Sequence, residues 1–148
     1  MNKRVSYKKI LARVREFCKV IEHKEIKEGY AWYNFKEKTI NTVKYIRKED
    51  EHCKEILIHE FVHHLTAMTI AMDNRYEKWT DSNGYKFSPE LEVVAEIVTY
   101  EVSRFINNTH TWQKYYVNIL PRNMVFEIVK RFNDLINETV LLIKTILI

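Results

Sequence analysis

The sequence predicts a mostly helical α+β fold that forms a single domain over residues 1–148. Apolar residues recur at helical spacing through most of the chain. Two short runs within residues 30–46 are instead rich in aromatic and β-branched residues, as strands are. The chain has only two glycines and two prolines, and 46% of its residues are hydrophobic. A chain of 148 residues can bury one core without disulfides or a structural metal.

The chain is expected to begin with an amphipathic helix over residues 6–22. Its apolar residues follow a spacing of three and four, with lysines and arginines between them. These apolar residues are Tyr7, Ile10, Leu11, Val14, Phe17, Cys18 and Ile21. We interpret the basic face as a solvated surface, and a weak site for nucleic acid or an acidic partner is the alternative. A small N-terminal sheet should follow, with strands over residues 30–35 and 39–46.

The next helix, predicted over residues 51–72, carries the motif His-Glu-x-x-His. His59 and His63 are four residues apart, so their imidazoles stand on one helix face and can bind a common ion. Glu60 is the next residue around the helix and can take a proton from a metal-bound water. This pattern is typical of zinc metallopeptidases, and it predicts Zn²⁺ bound by His59 and His63, with Glu60 as catalytic base. A helix with histidines on its polar edge is the alternative.

Two further histidines lie on the same predicted helix. His52 is about two turns before His59, too far to bind the same ion. His64 should point about 100° away from His63. We interpret His64 as a partly buried or capping histidine, with a role on the substrate side as the alternative.

A second acidic helix is predicted to begin at Ser88, with Pro89 in its first turn. Glu92 and Glu96 are four residues apart and share a face, beside an apolar face that can pack on the motif helix. A catalytic zinc needs three protein ligands and an open position, so Glu92 is the predicted third ligand, with Glu90 as the alternative. Glu96 is predicted to accept the N–H of a ligating histidine.

The two motifs together resemble a known class of proteins. His-Glu-x-x-His followed 29 residues later by Glu-x-x-Ala-Glu resembles the gluzincins, zinc peptidases whose third ligand is a glutamate. The chain is most similar to the zincin-like domain of ArdC-type antirestriction proteins and related phage and plasmid proteins. The ImmA/IrrE-like peptidases, which cleave repressors, share much of the arrangement. The likeness covers Tyr33-Asn34, Thr39-Ile40, residues 59–66 and 90–96 and, more loosely, residues 112–132.

The resemblance implies a zincin-like fold with the small sheet beside the metal-binding helix, acting on a protein or peptide substrate. In zincins a strand beside the metal cleft offers its edge to an extended peptide. Residues 39–45 are the candidate for that strand, and an ordinary sheet packed on helices is the alternative. Residues 73–87, between the two metal-bearing helices, could cover the cleft as a lid or serve only as a connection. ArdC proteins also carry a single-stranded-DNA-binding domain, for which 148 residues leave no room.

The predicted reaction is hydrolysis of a peptide bond by a metal-activated water, with Glu60 as general base and then as proton donor to the leaving amine. A further donor to the oxyanion is usual in such sites. Tyr100, Tyr85 and His110 are the candidates, and the sequence does not rank them. The alternative function is a non-catalytic zincin-fold module that binds a host protein in antirestriction or regulation. Glu60 argues against this alternative, because a structural zinc has no use for a base.

The C-terminal half is predicted to be helical. The acidic helix should end near residues 107–108, a short helix should contain Trp112, and a last long helix should cover residues 124–143 after Pro121. The apolar end of this last helix could bury itself or pair with a second copy in a homodimer. Residues 140–148 are far fewer than the roughly 20 needed to span a bilayer.

The net charge and the cysteine content exclude some functions and indicate the cellular compartment. Lysine and arginine outnumber aspartate and glutamate by only 24 to 20, for a net charge of +4. This balance excludes acidic mimicry of DNA, and we do not expect nucleic-acid binding. Cys18 and Cys53 lack the spacing of a metal site and are interpreted as reduced thiols, with a single bridge as the alternative. Because the N-terminus has no apolar signal core, we expect a cytoplasmic protein without a membrane segment.

Overall fold

The structure, a computed structural model, describes residues 4–24, 31–73, 79–80, 86–108 and 115–148. Helices α1 to α6 span Tyr7–Arg15, Asp50–Ala71, Pro89–Phe105, Tyr115–Ile119, Arg122–Arg131 and Asn133–Leu147. Strands β1 to β5 span Lys19–His23, Ala31–Asn34, Thr39–Val43, Trp79–Thr80 and Lys86–Phe87. This arrangement confirms the predicted α+β, mostly helical fold with a small sheet in the N-terminal half.

Helix α2 lies at the centre of the fold. Every residue from position 53 to position 63 is buried, whatever face of the helix it occupies. A helix is buried all round only when it has neighbours on every side, and here α1, the sheet, α3 and α6 all pack against it. Leu57 and Phe61 are among its fully buried side chains. The polar residues of the motif are therefore held inside the protein by the packing around them.

The three-stranded sheet packs on α2 in the order β1-β3-β2. Strand β1 runs parallel to β3, with Lys19 opposite Thr39, and β2 runs antiparallel to it, with Ala31 opposite Thr42. Because β3 is the central strand, both of its edges are paired. The candidate strand of residues 39–45 is therefore wrong as a peptide-binding edge. Among the described strands, β2 is an edge strand, and it borders the cleft described below.

Helix α1 is shorter than predicted. It ends at Arg15, and its last turn closes with the N–H groups of Phe17 and Cys18 bonded to the carbonyl of Val14. The predicted helix to residue 22 is therefore wrong, because β1 begins at Lys19. Pairing with β3 and burial of Val20 decide the conformation here, since tertiary contacts outweigh local propensity for β-branched residues.

Helix α3 begins as predicted. The Ser88 hydroxyl accepts the N–H of Leu91 at 3.2 Å, and Pro89 occupies the first helical position. The helix ends near Asn107, which has a φ of 58° in the left-handed region that asparagine tolerates. Asn108 Nδ2 then donates to the carbonyl oxygen of Glu51 at 2.9 Å. This bond ties the end of α3 to the start of α2, so the two helices run antiparallel.

The predicted last long helix is instead two helices. Helices α5 and α6 meet at Phe132, whose φ of −109° and ψ of 22° interrupt the helical path. The Phe132 ring is buried, and the guanidinium of Arg131 lies 4.9 Å from its centre. The break allows both helices to pack against α3. The apolar spacing continues across the break, so periodicity alone did not reveal it.

Helix α6 buries one face and leaves apolar residues on the other. Ile143 and Leu147 are buried, whereas Leu141 and Leu142 are exposed. Pairing with a second copy through this helix stays a prediction. Among the described helices, none combines the length and the apolar character needed to cross a bilayer.

We predict that Leu57→Ala lowers the free energy of unfolding by about 2–5 kcal/mol, because it leaves a cavity in the core. Leu57 is 0% exposed. The matched control is Leu141→Ala on α6, where 67% of the residue is exposed and the change should stay within about 0.5 kcal/mol. Urea unfolding followed by circular dichroism measures both. Equal losses in the two variants would contradict the central position of α2.

Candidate metal centre

Helices α2 and α3 bring the three predicted ligands together. Glu92 Oε2 lies 3.2 Å from His59 Nε2, and Glu92 Oε1 lies 3.2 Å from His63 Nε2. The two imidazole rings meet edge to face, with their centres 4.8 Å apart. Residues separated by about thirty positions in the sequence thus converge on one point between the helices.

Glu60 lies beside the two histidines. The ligand atoms of His59, Glu60 and His63 all lie within 4.8 Å of one another, and all three residues are buried. Within the described part of the chain, Glu60 Oε2 has no hydrogen-bond partner. A buried carboxylate oxygen without a partner is unfavourable in a folded protein. This buried His-Glu-His group could hold a metal ion.

The distances fit a four-coordinate ion. Ligands at about 2.0–2.1 Å from a tetrahedral centre lie roughly 3.3–3.4 Å from one another. The contacts of 3.2 Å between Glu92 and the two imidazole nitrogens are close to that separation. Two imidazoles and one carboxylate are also a ligand set that first-row transition metals accept. Glu92 therefore lies at a ligand-to-ligand distance from both histidines.

The electrostatics of the site link His63 and Glu92. Burial alone would lower the pKa of His63, but the charge and hydrogen bond of Glu92, together with Glu60, raise this pKa to about 9. Burial would likewise raise the pKa of Glu92, but the charge of His63 and hydrogen bonds from His59 and His63 hold it well below its usual range. Without a metal, His63 is therefore a cation paired with the Glu92 anion.

The pKa of Glu60 is shifted in the opposite direction from that of Glu92. Burial raises the pKa of Glu60, His63 and His59 oppose this effect, and the negative charge of Glu92 adds to it. A carboxylate whose pKa lies above its ordinary value binds a proton more readily. This property suits a group that takes a proton and later returns it.

Glu96 has a different partner from the predicted histidine N–H. Its Oε1 accepts the main-chain N–H of Val117 at 2.9 Å, and its Oε2 accepts that of Tyr116 at 3.1 Å. These groups belong to the first turn of α4, where main-chain N–H groups lack partners within the helix. Burial raises the pKa of Glu96 to about 7, against the effect of the Val117 N–H. Glu96 thus fastens α4 to α3 at one wall of the cleft.

Glu90, the alternative ligand, faces elsewhere. Its Oε1 lies 3.7 Å from a guanidinium nitrogen of Arg131, and its Oε2 accepts a hydrogen bond from the Ser88 hydroxyl at 3.2 Å. Two residues turn a helix by about 200°, so Glu90 and Glu92 cannot share a face. The contact with Arg131 joins the start of α3 to the end of α5.

Of the three candidate oxyanion donors, only Tyr100 lies within the described residues. Tyr100 is 37% exposed, and the guanidinium of Arg104 lies 5.8 Å from the centre of its ring. It does not line the cleft, because eight residues past Glu92 correspond to about 80° of rotation and about 12 Å of rise. Tyr85 and His110 lie outside the described residues.

A cleft of about 1170 Å³ opens over His59, Glu60 and His63. Helix α2 contributes its floor, β2 and the residues after it line one side, and α3 and α4 line the other. Its aromatic lining residues are Trp32, Tyr33, Phe35, Phe87, Tyr115 and Tyr116. The acidic residues Glu60, Glu92 and Glu96 and the two ligand-type histidines also line it. The cleft therefore combines apolar walls with a charged floor.

Tyr33 also lines the cleft, a position that the sequence does not predict for it. Its hydroxyl lies 2.9 Å from His64 Nδ1, and His64 also hydrogen bonds the main chain of Phe17. His64 therefore turns away from His63 and holds the wall of the cleft. Only the register of β2 on β3 places Tyr33 over α2, and a pattern of alternating residues does not specify that register.

Comparisons of the chain with family models, with curated proteins and with solved structures found no significant match. The resemblance to gluzincins therefore rests on the two sequence motifs and stays a prediction. The function has to be argued from the residues of this site.

We predict that metal binding to this site releases a proton, because His63 must be neutral to bind a metal. Between pH 6.5 and about 9, His63 in the metal-free protein keeps a proton that free histidine has already lost. The apparent affinity of the protein for Zn²⁺ should therefore fall as the pH drops below about 9. If one proton is displaced, the fall is up to tenfold per pH unit.

Calorimetric titration of metal-free protein with Zn²⁺, in buffers of different ionisation enthalpy, measures the number of protons released. We expect a value near one at neutral pH. A value near zero, with an affinity independent of pH, would contradict the prediction that metal binding displaces a proton from His63.

Proposed function

We propose that the protein is a zinc-dependent metallopeptidase that hydrolyses a peptide bond in a protein or peptide substrate. The observation that carries this proposal is the Glu92 carboxylate, which lies 3.2 Å from the Nε2 atoms of both His59 and His63. Three protein ligands with a fourth position left for water are typical of catalytic zinc, whereas structural zinc has four protein ligands. The cleft above the three side chains leaves that position accessible.

Zinc at this position would supply a more acidic water and a Lewis acid for the substrate carbonyl. Glu60 supplies the proton transfers. Its carboxylate takes the proton from the attacking water and delivers it to the nitrogen of the leaving amine, so that the carboxylate is regenerated after each turnover. The burial of Glu60 beside the two histidines, and its raised pKa, support this role.

The cleft supports an extended peptide as the substrate. Ala31, Trp32 and Tyr33 of β2 line it, and β2 is an edge strand among the described strands. An edge strand offers main-chain N–H and carbonyl groups to a bound peptide, and the side chains around it select the sequence. The exposed apolar side chains of Trp32, Phe35 and Met68 at the cleft favour apolar substrate residues.

We predict that the protein purified without added metal contains about one zinc per chain, and that His59→Ala removes most of it. Losing one of three ligands should weaken binding far more than losing a nearby residue that does not bind the metal. The matched control is His64→Gln. His64 lies on the same helix as His59, but it bonds to Tyr33 and is not a proposed ligand. Elemental analysis of the purified variants measures the zinc content. Equal zinc loss in both variants would contradict the assigned ligands.

We predict that Glu60→Gln lowers peptide hydrolysis by about 10²–10⁴-fold, because the amide cannot act as a general base. Zinc content should stay unchanged, since Glu60 is not a ligand in this proposal. The assay follows cleavage of a random peptide library by mass spectrometry, at full zinc occupancy.

Hydrolysis by Glu60→Gln at the wild-type rate would rule out the assigned base. If the zinc-loaded wild type cleaves no peptide in the library, the peptidase proposal fails. A non-catalytic zinc module that binds a protein partner would then be favoured.

A further inference from the structure

Two hydroxyl groups of α3 are buried without a partner. Thr99 is 0% exposed and Ser103 is 4% exposed. Among the described residues, neither Thr99 Oγ1 nor Ser103 Oγ has a hydrogen-bond partner. Buried hydroxyls are nearly always hydrogen bonded, so this pair requires an explanation.

Two other buried helical threonines of the described chain satisfy their hydroxyls within their own helix. Thr66 donates to the carbonyl of Val62 at 2.7 Å, and Thr139 donates to the carbonyl of Leu135 at 2.6 Å. The same bond is open to any threonine or serine one turn inside a helix. The hydroxyls of Thr99 and Ser103 do not make this bond.

Helical spacing places these hydroxyls on the face of α3 that meets α2. Thr99 and Ser103 follow Glu92 by seven and eleven residues, which returns them to the face that carries the third ligand. On α2, Glu55 precedes His59 by four residues and is 1% exposed. We call Glu55, Thr99 and Ser103 the polar seam. It continues the two ligand-bearing faces away from the metal centre.

The polar seam lies between two fixed points of the helix pair. At one end Glu92 contacts His59 and His63, and at the other Asn108 Nδ2 donates to the Glu51 carbonyl at 2.9 Å. Polar groups from two helices can share an ordered water, which typically makes about three hydrogen bonds in a protein interior. Such bonds allow one alignment of two helices, whereas an apolar interface tolerates several.

We infer that the polar seam binds ordered water and thereby holds α3 at the one alignment on α2 that brings Glu92 to His59 and His63. Thr99 and Ser103 are then positioning residues for the metal centre. Two ligands come from α2 and the third from α3, so a small shift between the helices changes both Glu92 contacts. This inference rests on the proposed metal function of His59, His63 and Glu92.

The test compares Co²⁺ binding to the wild type with binding to Thr99→Val and Ser103→Ala. Cobalt reports both affinity, through competition with a chelator, and ligand geometry, through its visible absorption. We expect each variant to bind Co²⁺ at least about tenfold more weakly (about 1.4 kcal/mol) and with an altered spectrum. The matched control is Thr139→Val on α6. This variant also loses a buried hydroxyl, but one that is bonded to the carbonyl of its own helix, so it should keep the wild-type affinity and spectrum.

Thr99→Ser retains the hydroxyl and should restore most of the affinity. If the wild type does not bind Co²⁺, the metal function itself fails. If the wild type binds it and the folded variants match its affinity and spectrum, the polar seam does not position the ligands.

A high-resolution crystal structure of the metal-loaded wild type keeps the inference testable even if the variants do not fold. We expect an ordered water hydrogen bonded to Thr99 Oγ1 and Ser103 Oγ. Hydroxyls bonded to the carbonyls of their own helix, with no water between α2 and α3, would overturn it.

Discussion

The contact of one carboxylate with two imidazoles is the interaction on which the rest of the site depends. Glu92 spans His59 and His63 at 3.2 Å on each side. An unpaired carboxylate is costly even when it is only half-buried, so this contact favours the position of α3 on α2 that pairs Glu92 with both imidazoles. The packing meets that requirement, because α2 is enclosed by α1, the sheet, α3 and α6. A helix enclosed in this way cannot turn its motif residues toward solvent.

Local physical chemistry explains what could be predicted from the sequence. The sequence predicts the motif helix over residues 51–72, and it spans Asp50–Ala71. Acidic residues in the first turn indicate its start. The start of α3 was predicted from Ser88 and Pro89 for the same reason, since a cap acts on its immediate neighbours. Local signals alone do not predict that His59, His63 and Glu92 converge. That prediction also uses the requirement of a catalytic zinc for three protein ligands.

Contacts between distant segments explain what could not be predicted. The apolar spacing of the first helix runs on into β1, and only pairing with β3 shows where the helix stops. The same spacing continues from α5 into α6 through Phe132. The spacing of Glu96 one turn after Glu92 predicts a histidine N–H as its partner, but its carboxylate accepts the N–H groups of Tyr116 and Val117, because the fold places α4 beside it. In each case the partner is set by the assembled fold.

The three glutamates that line the cleft have different surroundings, and these give the same residue type different properties. Glu92 faces two imidazoles, which hold its pKa low and keep it anionic. Glu96 accepts the main-chain N–H groups of Tyr116 and Val117, and burial raises its pKa to about 7. Burial raises the pKa of Glu60, and the two histidines oppose this effect without cancelling it. Three full negative charges in so small a volume would repel one another. Only Glu92 is strongly held in its charged form, so it provides the anion that the two imidazoles and a metal ion require, while Glu60 can gain a proton at low cost.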